Sequence, residues 1–178
     1  MNLFKVPVLG FAAYSGTGKT TLLVRLIPLL KQQGVRVAMV KHAHHEFDID
    51  IPGKDSYELR KAGADQVLVA SDRRRALVRE MATPAEPRLE ELVKKLDLDE
   101  VDLVLVEGFR HLPFPKIELH RTSLKNELIY PQDPSVIAVA ADAEIDTGNL
   151  PLLDLNQPEA IMQFICEWMD QTKEISQM

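Results

Sequence analysis

The sequence predicts an α/β fold in which a mainly parallel sheet is flanked by helices in three layers. Three observations carry that prediction. Residues 6–12, "VPVLGFA", form a continuous apolar run, as a parallel strand covered on both faces requires. That run enters a glycine-rich turn and then a stretch, 20–33, in which Leu22, Leu23, Leu26, Ile27, Leu29 and Leu30 recur at helical spacing. Apolar strands and amphipathic stretches then alternate towards the end of the chain.

Taken in order, the strand at Val6–Ala12 leads through the glycine turn into a first helix, Thr20–Gln33, with Gly34 where a C-terminal cap belongs. "VRVAMVK" (35–41) is a second short strand, which completes a β-α-β unit with a right-handed parallel crossover. "HAHHEFDIDIPG" (42–53) has no sustained period and ends in Pro-Gly, so it reads as a long loop. A short helix over "KDSYELRKAGA" stops at Gly63, and "DQVLVA" and "RALVREM" are strands around a turn at Ser71–Arg74. "PRLEELVKKLDL" (87–98) is predicted to be a helix, with Glu90 and Lys94 at supportive i,i+4 spacing. "VDLVLVEGF" (101–109), "KIELH" and "SVIAVAAD" supply three more strands, and "PEAIMQFICEWMDQ" a closing amphipathic helix.

The length, 178 residues, favours a single domain over 1–178 with a substantial core. A formal net charge of −6 argues against a chain whose main partner is a nucleic-acid backbone, and the run Arg73–Arg75 is too short to reverse that. One cysteine, Cys166, leaves no intrachain disulfide framework and fits a reducing compartment. "MNLFKVPVLG" lacks the apolar segment of a signal peptide, and no stretch reaches the ~18 apolar residues of a membrane span, so a cytoplasmic protein without membrane partners is expected.

Set against G-x-x-x-x-G-K-[ST], residues 13–20 read A-Y-S-G-T-G-K-T and match every fixed position but the first, where Ala13 replaces Gly. The first glycine serves a tight turn, and Ala is the least costly replacement provided its φ is negative. Gly16 and Gly18 let backbone N–H groups approach phosphate oxygens, Lys19 neutralises the outer phosphates, and the Thr20 hydroxyl is placed for Mg²⁺. The helix N-terminus adds its dipole. The strand before and the helix after the loop make this a nucleoside-phosphate site in a P-loop NTPase fold, rather than a plain glycine turn with a solvated lysine.

A Mg²⁺–nucleotide site also needs an acidic group at the end of another strand, and "LVLVEG" supplies Glu107 there. His42, His44 and His45 invite a zinc reading of the loop, but no Cys accompanies them and the spacing fits no compact tetrahedral scheme. A solvated polar loop and a switch-type loop with Asp48 or Asp50 reaching the metal are the other readings. No N-K-x-D guanine motif is present; the nearest substitute is Asp142 in "VAAD", which could accept from guanine N1 and N2, or could be a strand-end turn acid.

The blocks "SGTGKTTLL", "KHAHHEFDIDIPGKDSYELRKAGA", "LVEGFR" and "VIAVAAD" resemble the MobB family of molybdopterin-guanine dinucleotide biosynthesis adaptor proteins, from about Val6 to the final helix. The resemblance implies a homodimeric GTP-binding protein, at most a weak Mg²⁺-dependent GTPase. Its partners would be the MobA-like enzyme that attaches GMP to molybdopterin, and molybdopterin itself. Carried over by residue, it places GTP phosphates on Ser15, Gly16, Thr17, Gly18, Lys19, Thr20 and Thr21, and Mg²⁺ on Thr20, Asp50 and Glu107.

Two other functions are compatible with the loop. One is a small-molecule kinase or ligase, which lacks an evident arginine pair on a lid unless Arg73–Arg75 supply it. The other is a GTP-dependent metallochaperone that uses the histidine loop. Neither a catalytic glutamine nor an arginine finger stands out, which suggests slow turnover.

Overall fold

The computed structural model describes residues 4–43, 47–83 and 85–176. In chain order its elements are β1 (Val8–Ala12), α1 (Lys19–Gln32), β2 (Val37–Lys41), α2 (Asp55–Lys61), β3 (Gln66–Ala70), β4 (Arg75–Arg79), α3 (Leu89–Val93), β5 (Leu103–Glu107), β6 (Lys116–His120), β7 (Val136–Ala141), β8 (Leu152–Asp154) and α4 (Pro158–Ser176). The chain divides into two compact units, residues 1–42 with 88–178 and residues 43–87.

The larger unit is built on a six-stranded sheet in the order β2-β5-β1-β6-β7-β8, with every neighbouring pair parallel. Successive side chains of a strand point to opposite faces, and here the two faces feed two cores. Leu103 and Leu105 of β5 join Leu22, Leu23, Leu26 and Leu30 of α1 and Ile161, Ile165 and Met169 of α4. Val104 and Val106, between and beyond them, pack with Leu89 and Val93 of α3 and with Phe109 and Phe114. This is the three-layer α/β arrangement the apolar runs predict, and each fully buried Leu or Ile contributes ~1.5–3 kcal/mol.

Two elements differ from expectation. The helix predicted over 87–98 is only Leu89–Val93, because that one turn carries the two side chains, Leu89 and Val93, that bury fully on the sheet. Past it the chain breaks into turns, with Leu96 N–H donating to the Val93 carbonyl at 3.1 Å and Glu100 N–H to the Asp97 carbonyl at 3.1 Å, and so reaches the start of β5. The strand β8 is an addition: three residues following Pro151, parallel to β7. In α1 the Gly34 expectation holds, its φ of +79° following the helix end.

The smaller unit carries α2 and the antiparallel hairpin β3–β4, in which Leu68 faces Leu77 and Val67 faces Val78. Asp55 and Glu58 in the first turn of α2, and Arg60 and Lys61 in the last, complement the helix dipole. The Ser71 N–H donates to the Arg74 carbonyl at 2.8 Å, and Ser71 Oγ accepts from the N–H groups of Arg73 and Arg74, which closes the hairpin turn.

Candidate functional site

The order of the strands converges the chemistry. The chain leaves β1 to one side and returns on the other through β6, so the loops at the C-terminal ends of β1, β5, β6 and β7 share one edge of the sheet, where open α/β sheets bind ligands. The phosphate-type loop follows β1. Glu107 ends β5, aligned with Phe11 on one side and Lys41 on the other. Arg121 follows β6, and Asp142 follows β7.

Within the loop, Gly16 and Gly18 have φ of +82° and +97°, where an L side chain is strained. Ala13 is not among the positive-φ residues, so its replacement of the usual glycine costs the backbone nothing. Thr17 is buried, and both its N–H and its Oγ1 donate to the Tyr14 carbonyl, at 3.4 and 2.9 Å, which fixes the curl of the loop. Gly18 is the N-cap of α1 and brings no side chain to cap it. The first N–H groups of α1 are thereby left for a ligand, with the helix dipole behind them.

Two cations flank the carboxylate at the end of β5. Lys19 Nζ lies 3.7 Å from Glu107 Oε1, and Lys41 Nζ lies 3.8 Å from Oε2. The Glu107 side chain is only 15% exposed, yet both contacts exceed hydrogen-bond length, so the three groups form a loose charge cluster instead of a closed pair. A hydroxyl on the first turn of α1 and a carboxylate at a strand end are hard oxygen donors of the kind Mg²⁺ takes, and the fit of Thr20 and Glu107 to that ion is good on chemical grounds.

Arg121 was not legible in the sequence, and it occupies the side of the loop opposite Glu107 across β1. Its Nε donates to the Thr17 carbonyl at 3.1 Å, its Nη1 lies 3.4 Å from Asp142 Oδ2, and a Cβ placed on Gly18 would stand 3.6 Å from its Nη2. Asp142 Oδ1 accepts from the Thr122 N–H at 2.9 Å and from Thr122 Oγ1 at 3.0 Å. The Thr122 backbone N–H, with its hydroxyl and Arg121, holds the Asp142 carboxyl below the usual carboxylate range. Arg121 therefore braces the phosphate loop against the strand end that carries Asp142.

Asp50 lies in the smaller unit and is held there. Arg60 donates to both of its oxygens, Nε at 3.1 Å and Nη2 at 2.7 Å, and also reaches Asp48 Oδ1 at 2.5 Å and Glu80 Oε1 at 2.9 Å. These bonds hold the Asp50 carboxyl below its ordinary range and the Arg60 guanidinium above its own. Of the three histidines in the loop, His44 and His45 lie outside the described residues. His42 stacks on Phe109, ring centroids 4.5 Å apart. Among the described residues no three His, Cys, Asp or Glu side chains gather as for a metal ion.

The turn after Glu107 is tightly shaped. Gly108 has φ +98°, and a Cβ there would come within 2.6 Å of the His42 Cβ. Phe109 follows with φ +53°, a conformation that a bulky residue keeps only when its surroundings enforce it.

Comparison with known proteins supplies the context for this geometry. The family model described as MobB, molybdopterin guanine dinucleotide synthesis protein B, matches residues 8–142. The molybdopterin-guanine dinucleotide biosynthesis adapter protein of Escherichia coli K12 is 48% identical over 167 residues, 92% of this chain and 94% of that protein. The protein of the same description from Haemophilus influenzae is 43% identical over 166 residues, 93% of this chain and 90% of its own length. A crystal structure of molybdopterin-guanine biosynthesis protein B, 26% identical, superposes with a TM-score of 0.70 over 90% of this chain and 99% of that one. Bacillus subtilis MobB, 24% identical with a TM-score of 0.71 over 90% of this chain and 96% of its own, matches in fold.

Proposed function

The chain belongs to the MobB family of molybdopterin-guanine dinucleotide biosynthesis adapter proteins, with a role in molybdenum cofactor biosynthesis, and from that premise we propose that it is a GTP-binding accessory protein with weak Mg²⁺-dependent hydrolysis at most. The observation that carries the reading is the Lys19–Glu107 approach across a glycine loop with a bare helix N-terminus. Ser15 to Thr21 hold the phosphates through backbone N–H groups, Lys19 and the Thr20 and Thr21 hydroxyls. Thr20 and Glu107 hold Mg²⁺, which when bound neutralises charge on the outer phosphates. Asp50 is the third ligand in this proposal, and Arg60 already occupies one acceptor position on each of its oxygens.

On the base side, Asp142 takes the guanine donors at the end of β7, and Arg121 keeps its strand end in register with the loop. Turnover in this proposal is slow, since neither a catalytic glutamine nor an arginine finger stands out in the sequence. The accessory role is toward a MobA-like GMP-transferring enzyme with molybdopterin as the acceptor.

A homodimer is supported by the hairpin of the smaller unit, where the paired Leu68 and Leu77 are 64% and 60% exposed on one face. A cytoplasmic location belongs to the same proposal; separately, among the described residues no helix is long and apolar enough to cross a membrane. Calorimetry with GTP and ATP, with and without Mg²⁺, tests the central reading. The expected result is GTP binding strengthened by Mg²⁺; a folded protein that binds neither nucleotide overturns it.

A further inference from the structure

A cleft of about 480 Å³ opens beside the phosphate loop, lined by Tyr14 from the loop, by Arg110 and His111 after β5, and by residues 127–129 and 132–135 before β7. All of these residues belong to the larger unit. The volume is that of a small-molecule site. Because Tyr14 immediately precedes Ser15, the cleft and the phosphate cradle share a wall.

The walls are fixed by two buried charges. Lys116 and Glu118, each 1% exposed, stand two residues apart on one face of β6. Lys116 Nζ donates to the Leu112 carbonyl at 2.6 Å and to Ser135 Oγ at 2.5 Å, and pairs with Asp133 Oδ2 at 2.8 Å. The two Glu118 oxygens each accept a backbone N–H, from Ile129 and Tyr130, both at 2.8 Å. Burying two ions is a costly way to hold loops when apolar packing would do it, and here both are spent on the segments that line the cleft. The loops are thereby preorganised.

Arg110 is the exposed member. The enforced turn at Gly108 and Phe109 delivers its guanidinium over the Tyr14 ring, 5.6 Å from the centroid, and among the described residues it forms no ion pair or hydrogen bond. An uncommitted arginine stacked on an aromatic ring, with His111 beside it, suits a phosphate ester. Gln132 and Glu127 stand on the same rim with an amide and a carboxylate, which suit the mixed donor and acceptor edge of a bicyclic heteroaromatic ring.

We infer that this cleft binds a pterin bearing a phosphate monoester, with the phosphate on Arg110 and the ring edge on Glu127 and Gln132. The inference rests on the role in molybdenum cofactor biosynthesis proposed above and adds to it a place for the acceptor beside the nucleotide. It requires no bond to form or break at this chain.

The test uses the full chain and fluorescence titration with 6-hydroxymethylpterin and its phosphate monoester, alongside GTP binding measured on the same samples. The phosphate ester is expected to bind, the unphosphorylated pterin to bind at least tenfold more weakly, and Arg110→Ala to lose about 10- to 100-fold in affinity for the ester while GTP affinity is unchanged. Glu127→Gln is expected to weaken both pterins. If inorganic phosphate competes as well as the ester does, the cleft is an anion site only and the pterin assignment falls. If the wild-type chain binds GTP but not the ester, the cleft is overturned and the GTP reading stands; if GTP binding is missing as well, both fail.

Discussion

Lys19 and Glu107, assigned by sequence to a phosphate and to a metal respectively, face each other at 3.7 Å. A triphosphate entering the loop offers Lys19 a denser negative charge than one carboxylate, and its metal offers Glu107 a divalent partner. In the proposed reading the two residues stand, loosely paired, in the positions from which both would turn to the ligand, which limits the reorganisation that binding costs.

Lys19→Ala is expected to reduce GTP affinity tenfold or more, since a charge-assisted contact to phosphate is worth ~1.5–3 kcal/mol. The fold should survive, because the lost group is a cation at the loop and no core volume goes with it. Calorimetry showing unchanged GTP affinity in a folded variant would reject the site.

Glu107→Gln separates metal binding from phosphate binding. Without Mg²⁺, GTP affinity should hold or rise, because Lys19 and Lys41 lose the carboxylate that competes for them. With Mg²⁺ the affinity should fall relative to the parent protein, since a neutral amide is a poorer partner for the ion. Titrations in both conditions decide it; equal changes would leave Glu107 a solvated strand-end acid.

The glycine loop between β1 and α1 was legible because its apolar strand, paired glycines, lysine and helical repeat are contiguous, and local pattern is what a sequence displays. Glu107 was legible from its place at the end of the most apolar strand. Arg121 was not: a single arginine after "KIELH" has no spacing partner, and its meaning comes from β6 lying next to β1, a pairing across about a hundred residues. The cleft escaped for the same reason, its walls coming from residue 14, from residues 110, 111 and 113, and from residues 127–129 and 132–135. The over-long prediction for α3 shows the limit in the other direction, since apolar spacing continues through Leu96 and Leu98, which pack against the same core from turns and not from a helix.

Asp50→Asn distinguishes a structural from a metal role for that carboxylate. Arg60 is nearly enclosed in the smaller unit, and the change removes a two-pronged charged partner while keeping the side-chain shape. Hydrogen exchange should rise across 47–83 and stay unchanged in the sheet of the larger unit. Because Asp50 titrates lower in the folded chain than in the unfolded one, its contribution is complete above the ordinary carboxylate pKa, about 3.9, and is lost as pH falls through the lower folded value. The variant should therefore show a flatter acid limb of stability. Loss of Mg²⁺-dependent GTP affinity with unchanged exchange would instead mark Asp50 as a ligand.

Leu68→Asp with Leu77→Asp is expected to convert a dimer to a monomer, because two like charges directly opposite on one face of a hairpin repel each other and deny an apolar partner. Sedimentation measured at several concentrations reads the outcome. A parent protein that is monomeric throughout would remove the homodimer from the proposal.

In the proposed function, base selection rests on Asp142. Thr122 takes both acceptor positions of Oδ1 and Arg121 one of Oδ2, the longest contact at 3.4 Å, so the carboxylate has room for one guanine donor as it stands and for both once the Thr122 hydroxyl turns away from Oδ1. Guanine N1–H and the 2-amino group present two donors on one edge, whereas adenine presents a different pattern, so GTP is expected to bind more tightly than ATP. An unpaired buried polar group costs ~1–3 kcal/mol, which caps the preference near a hundredfold. Inosine triphosphate, which lacks the 2-amino group, should fall between them. Asp142→Ala is expected to erase the ratio, while Arg121→Ala, which unties the Thr17 carbonyl, should weaken both nucleotides and leave the ratio in place. Competition of the three nucleotides against one fluorescent analogue measures every arm, and ATP binding more tightly than GTP would shift the reading to a kinase built on the same loop.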